Sequence, residues 1–145
     1  MNQEDAISQV LTVLPEIGKR LHASVAAHPE AAGRSIGQIR AMVHLFHHGS
    51  STVGDGAAAL GVAMPTMSEL IDRLVEDGMV ERGVNPDDRR QVIVSLTPRA
   101  RAFGDRIYQL RRAQVKAALD RLEPHEWPMF VRSIQALADA LAEGG

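Results

Sequence analysis

Two short helices hinged on a glycine, followed at once by two strands with a charged tip, occupy residues 52–96, and few folds accommodate that order. Thr52-Val53-Gly54-Asp55 opens the first helix: Thr52 can cap it, and Asp55 stands three residues on, the spacing of a capping box. Ala57, Ala58, Ala59 and Leu60 continue it, and Gly61 is placed to end it in the left-handed conformation. Gly54 and Gly56 weaken this helix by about 1 kcal/mol each relative to Ala. After a turn at Val62-Ala63-Met64, Pro65 stands in the first turn of the next helix, where proline is tolerated. There Met67, Leu70, Ile71, Leu74 and Val75 recur at three and four residues and form one apolar face. Thr66, Ser68, Glu69, Asp72 and Arg73 share the other face and can hydrogen-bond outward. This is the helix-turn-helix pattern, whose second helix can lie in a DNA major groove.

Gly78 closes the second helix. Met79 to Val84 and Gln91 to Leu96 read as two strands, with Val92, Val94 and Leu96 alternating with Ile93 and Ser95. Between them Asn85-Pro86-Asp87-Asp88 has strong turn chemistry, and Arg89-Arg90 leads out of it. A two-stranded wing directly after a helix-turn-helix makes either assignment sharper than it would be alone.

The flanks are helical. Ile7, Val10, Leu11, Leu14, Ile17 and Leu21 make a stripe over residues 4–27, interrupted by Pro15, which predicts either a kink or a helix starting near that proline. Residues 28–35 read as a loop, with Ser35 capping a helix over Ile36 to His47 that turns Ile39, Met42, Val43 and Phe46 inward. Thr97-Pro98 starts a long amphipathic helix running to Arg121, which at 1.5 Å per residue is on the order of 35 Å, too long for a small domain to cover. Pro124 opens the last helix, where Trp127, Phe130, Val131, Ile134, Leu137, Ala138 and Leu141 form an almost continuous apolar stripe. Such stripes at both ends of a small winged domain predict intertwined dimerisation, the alternative being that they pack onto their own domain.

The fold class expected is therefore mostly α with a small β wing: a winged helix-turn-helix flanked by N- and C-terminal dimerisation helices. We read residues 1–145 as one domain, with 1–34 and 105–145 as the dimerisation region and 35–104 as the DNA-binding lobe. A chain of 145 residues that is 45% hydrophobic can build a real core, and with aromatics at 3% that core must be aliphatic and methionine-rich. The absence of cysteine excludes disulfides and thiolate zinc sites. No apolar run is long enough to span a bilayer and no basic leader opens the chain, so a cytoplasmic protein without a membrane partner is expected. The net charge of -2 does not advertise nucleic-acid binding, but its distribution does. Glu69, Asp72, Glu76 and Asp77 make residues 64–78 acidic, whereas Arg82, Arg89, Arg90, Arg99, Arg101, Arg106, Arg111, Arg112 and Lys116 dominate 82–116. That basic block suits phosphate contact, or else is a solvated helix face.

Leu60-Gly61-Val62, the run Pro65 to Leu74, Gly78 to Arg82, Asp88-Arg89-Arg90 and Val94 to Pro98 resemble, in order and spacing, the multiple-antibiotic-resistance regulator (MarR) family of winged-helix repressors. The flanking helices extend the resemblance over essentially the whole chain. It implies a homodimer joined through both terminal helices and bound to double-stranded DNA at a pseudo-palindromic operator. Recognition helices would enter successive major grooves, and wings the minor grooves beside them. It further implies release of DNA by a small, often phenolic or otherwise aromatic, effector held between the dimerisation helices and the DNA-binding lobe. The residues matched to DNA contact are Pro65, Thr66, Ser68, Glu69 and Arg73 on the second helix, and Arg82, Asp88, Arg89 and Arg90 in the wing, where Asp88 would brace the turn by pairing with an arginine. One of Arg89 and Arg90 would enter a narrow minor groove. Departures from the family pattern are Ala63 for a capping Ser, Met64 for a polar or basic residue, Glu69 for an Arg, and Asn85 and Asp87 in the wing turn. Glu69 either accepts from a cytosine amino group or pairs with Arg73 four residues on, the latter being the simpler reading. Leu14, Ile17, Leu21, Met42, Phe46, Phe103 and Ile107 are candidates for an effector pocket; each also reads as plain core.

No nucleophile–base pair, phosphate-cradling glycine loop or paired catalytic carboxylate is present, so an enzyme is not expected, and no cofactor is implied. His44 and His47 share a helix face at a spacing compatible with a metal pair, but without cysteine or neighbouring acids a hydrogen-bonded or pH-sensitive role is expected rather than a metal site. The leading function is a ligand-released transcriptional repressor. The alternative is a winged-helix ligand-binding or interaction protein whose acidic recognition helix has weak or lost specific DNA binding.

Overall fold

Local capping decides where most of the helices start. In the computed structural model, which describes residues 1–144, helix α1 (Gln3–Ala26) is opened by a reciprocal capping box: Asn2 accepts from the Asp5 amide at 2.8 Å while Asp5 accepts from the Asn2 amide at 3.3 Å. Ser35 and Gln38 do the same, each at 3.1 Å, for α2 (Ile36–His48). Thr52 caps α3 (Val53–Leu60) by accepting from the Asp55 amide at 3.1 Å, and Gly61 ends it at a φ of 68°, the left-handed value glycine adopts without strain. Helix α4 (Met64–Glu76) has Ala63 as its cap residue and no side-chain cap, so it begins one residue earlier than expected and takes Met64 out of the turn. Thr97 accepts from the Ala100 amide at 3.3 Å at the head of α5 (Pro98–Leu119) and donates to the Gly78 carbonyl at 2.8 Å, tying that helix to the end of the previous one.

One further expectation is narrowed and two are corrected. Of the two readings of Pro15, a kink or a new helix, the second is excluded, since α1 runs from Gln3 to Ala26 with the proline inside it. Pro124 opens a single 3-10 turn (Pro124–Glu126), and the last helix, α6 (Trp127–Glu143), starts after it. The ribbon has three strands: β1 (Ser51–Thr52), β2 (Val80–Val84) and β3 (Val92–Leu96) form an antiparallel sheet in the order β1-β3-β2. Ser51 pairs with Val94 on one side of β3, while Arg82 pairs with Val94 on the other. A strand of two residues has no period to read, so only the pairing reveals it.

The chain divides into two compact units, Met1–Asp105 and Arg106 onward. The core of the first is aliphatic and methionine-rich: Leu45, Met67, Ile71, Leu74, Met79 and Val94 are fully buried, each worth about 1.5–3 kcal/mol in removed apolar surface. Helix α2 presents Ala41, Met42 and Leu45 to it; Val43, expected inward, is 49% exposed, because the buried stripe is rotated toward Leu45. Gly56 is the contact point between α3 and α4. A Cβ there would fall 2.7 Å from Cε of Met67, so the glycine that weakens α3 also lets α4 approach closely. In the second unit, the indole N–H of Trp127 donates to the Leu119 carbonyl at 3.1 Å across the turn between α5 and α6. Neither α1 nor α6 has a buried residue: Ile7, Val10, Leu11, Val13, Ile17 and Leu21 on α1 are exposed, as are Met129, Val131, Ile134 and Leu141 on α6.

Candidate nucleic-acid interface

Helix α4 is sharply two-sided. Met67, Ile71 and Leu74 are fully buried, Pro65, Thr66, Glu69, Asp72 and Arg73 are exposed, and Ser68 sits half-buried at the boundary. The amphipathic spacing thus turns every residue singled out for base or phosphate contact away from the core, as a helix entering a groove requires.

Two of the three acids on this helix, and the Asp77 that follows it, face an arginine. Glu69 faces Arg73 at 3.7 Å, within ion-pair range but longer than a hydrogen bond. Asp72 accepts from Arg82 of β2, which joins helix to wing. Asp77 accepts from Nη1 of Arg34 at 2.7 Å, and Nε of Arg34 also donates to the Glu30 carbonyl. The Arg34 side chain is only 10% exposed, so water screens this pair less than it screens those of Glu69 and Asp72. Arg99 adds a hydrogen bond to the Asp77 carbonyl at 3.2 Å. Sequence spacing exposes the Glu69–Arg73 pair, but partners as distant along the chain as Arg34 and Asp77 become visible only once folded.

The wing turn is built by its own side chains. Asn85 Oδ1 accepts from the Asp87 amide at 3.0 Å, an Asx turn, and its Nδ2 donates to Gln91 Oε1 at 2.9 Å. Asp88 does brace the turn, but through the backbone: it accepts from the Arg90 amide at 3.1 Å, and no guanidinium pairs with it among the described residues. Both Arg89 and Arg90 are exposed, and neither guanidinium has a partner among the described residues. Arg82, by contrast, is engaged with Asp72 and acts as a strut between α4 and β2.

The effector-pocket candidates differ in burial. Met42 and Phe103 lie in the core of the first unit, with Phe103 edge-on to His28 at 5.6 Å. Phe46 packs against Gly104, Leu14 is half-buried, and Ile17 and Leu21 are exposed on α1; Ile107 lies in the second unit, half-buried. A groove of about 200 Å³ within the first unit is lined instead by His22, Val25, Ala31, Arg34, Ile36 and Arg40 among others, and none of those candidates lines it.

The histidine cluster pairs differently from the expected spacing. His44 stacks on His48 at 4.4 Å, four residues on, whereas His47 meets Phe46 edge-on at 5.5 Å. His44 Nε2 lies 3.5 Å from Ser51 Oγ, linking α2 to β1. Burial holds the His44 imidazole below its ordinary value of 6.5; the neighbouring His48 adds to this and Asp55 opposes it.

Comparison with known proteins agrees with this architecture. Residues 35–92, which carry α2 to the start of β3, match the sequence model of the MarR family. Over 107 residues the chain is 31% identical to the HTH-type transcriptional regulator YfiV of Bacillus subtilis, covering 74% of this chain and 67% of that one. Among solved structures, RV1404 from Mycobacterium tuberculosis is similar over 97% of this chain and 94% of its own, with a TM-score of 0.79 and 26% identity. FabT of Streptococcus pneumoniae, solved in complex with DNA, is similar over 99% of this chain and 100% of its own, with a TM-score of 0.81; at 16% identity that likeness is one of fold.

Proposed function

Because this chain belongs to the MarR family of transcriptional regulators and carries that family's DNA-binding winged helix, we propose that it is a dimeric repressor whose hold on a pseudo-palindromic operator is relieved by a small aromatic or phenolic effector. It acts where the DNA is, in the cytoplasm. The observation that carries this reading is the state of α4. Its outward face is exposed, while Glu69, Asp72 and Asp77 each face an arginine, so the field a phosphate would meet is far less repulsive than the composition of the helix suggests. Arg89 and Arg90 at the wing tip add unpaired positive charge for the minor groove. Pro65, Thr66, Ser68, Glu69 and Arg73 then serve the major groove, with Arg82 and Asp88 holding the wing in position.

Residues 1–34 and 105–145 are assigned to dimerisation, and 35–104 to the DNA-binding lobe. Exposed apolar stripes on α1 and α6 support this, since contiguous apolar surface of this kind marks an interface. Two copies clasped by these helices would set two α4 helices about one turn of DNA apart, roughly 34 Å. An effector releases DNA only through a higher affinity for dimer geometries that cannot span two successive grooves.

The test is binding of the purified protein to its own upstream region against random duplex of the same length at moderate salt. Preference for the upstream region, with affinity falling steeply as salt rises, is the expected result. Equal affinity for both duplexes would favour the second reading, a winged ligand-binding protein, for which Glu69 speaks because it replaces a residue that usually serves DNA. Glu69→Arg separates the two: a large gain in affinity for any duplex means the natural chain is weak by construction.

A further inference from the structure

We propose that Met64 reads thymine methyl groups in the major groove, so that this protein selects its operator mainly by apolar contact rather than by arginine-to-guanine hydrogen bonds; the inference rests on the DNA-binding reading above. Side chains match bases by chemistry: Arg or Lys suits guanine, Asn or Gln suits adenine, Asp or Glu suits cytosine, and an apolar group suits the thymine methyl. Helix α4 has no Lys, Asn or Gln. Its one arginine, Arg73, lies in its last turn and faces Glu69, while Asp72 is engaged with Arg82. Of the side chains suited to guanine, adenine or cytosine, Lys, Asn and Gln are thus absent from the helix, Asp72 is engaged with Arg82, and Glu69, Arg73 and Glu76 all stand beyond its first turn.

Base contacts come chiefly from the N-terminal residues of a recognition helix. Here those are Met64, Pro65 and Thr66, with no charge and no side-chain amide among them. Met64 is 51% exposed, alone among the large apolar side chains of α4: Met67, Ile71 and Leu74 are buried, and Leu70 and Val75 half-buried. It therefore has no full place in the core. Its sulfur lies beside α3, 3.7 Å from where a Cβ on Gly54 would stand, so the absence of a side chain there leaves room for the thioether. Ser68, a turn further along, shares its flank of the helix. Thr66, two residues after Met64 and therefore on another side of the helix, is also exposed.

The experiment is selection from a random duplex pool with the full-length protein, as wild type, Met64→Ala and Met64→Gln. Affinities are then measured for the selected duplex with individual thymines replaced by deoxyuridine. Expected for wild type is a thymine enriched at a fixed place in each half-site, with deoxyuridine there weakening binding about fourfold per methyl, the worth of one buried methyl-sized group. Met64→Ala should bind the thymine and deoxyuridine duplexes equally, with an unchanged melting temperature because the residue is half-exposed. Met64→Gln should shift enrichment at that place toward adenine. Equal wild-type affinity for the two duplexes overturns the proposal, as does a deoxyuridine effect that persists in Met64→Ala. Enrichment of no sequence at all overturns the DNA-binding reading together with it.

Discussion

Gly104 shows how much a single missing side chain can decide. A Cβ there would stand 2.4 Å from Cδ2 of the Phe46 ring, a rigid neighbour that cannot yield as a methionine tip can. Gly104→Ala should therefore lower stability by about 1–3 kcal/mol of overpacking, more than the roughly 1 kcal/mol that alanine adds to helix propensity, as read by urea denaturation. His44 sets a pH dependence. Since its imidazole is held below 6.5 when folded, the unfolded chain takes up the proton first. The stability it contributes is complete above about 6.5 and is lost as pH falls through the window beneath that value. Thermal melts from pH 8 to 5 should show this slope in the wild type and a flatter one in His44→Gln. Glu69 contributes little to stability. Its pairing with Arg73 is exposed and long, so Glu69→Ala should change unfolding free energy by less than about 0.5 kcal/mol, and any change in DNA affinity of that variant then reports on the groove contact and not on folding.

Among the elements, the C-terminal half of α4 is tied to two neighbouring segments. Arg34 reaches from the loop before α2 to Asp77, and Arg82 reaches from β2 to Asp72. The two ties differ in burial and so in worth. Removing the carboxylate at Asp77 leaves a nearly buried guanidinium without its partner, and Asp77→Ala should cost about 1–3 kcal/mol in chemical denaturation. Asp72→Ala, between exposed partners, should cost under about 1 kcal/mol. It frees Arg82 and loosens the wing, however, so a change in protection of the β2 amides by hydrogen exchange is its expected signature.

At the scale of the whole molecule, the exposed stripes of α1 and α6 carry the proposed dimer. Ile134→Asp places a charge in the middle of the α6 stripe, where a monomer has nothing to lose. Sedimentation should show wild type at twice the chain mass and this variant at the chain mass, with helicity retained. Loss of the second reading head should also reduce the salt dependence of DNA binding by about half, because each subunit brings its own phosphate contacts. A wild-type protein that sediments as a single chain at micromolar concentration would remove the basis of the paired-groove geometry.

What could be settled from the residues alone was whatever depends on short range. Cap chemistry at Ser35, Thr52 and Thr97, the left-handed glycine at 61 and the three-and-four spacing from Met67 to Val75 each act within one or two turns, so their outcome was legible before folding. The wing and the flanking helices were legible in the same way, from alternation, turn chemistry and apolar spacing; the resemblance to a family added the expected operator geometry and the effector. Tertiary structure alone decided the rest: the strand at Ser51, which exists only because β3 lies beside it; the neutralisation of Asp72 and Asp77; the stacking of His44 on His48; and the half-exposure of Met64. Each of these depends on groups brought together by packing, and packing responds to shape and to distant neighbours that no local pattern encodes.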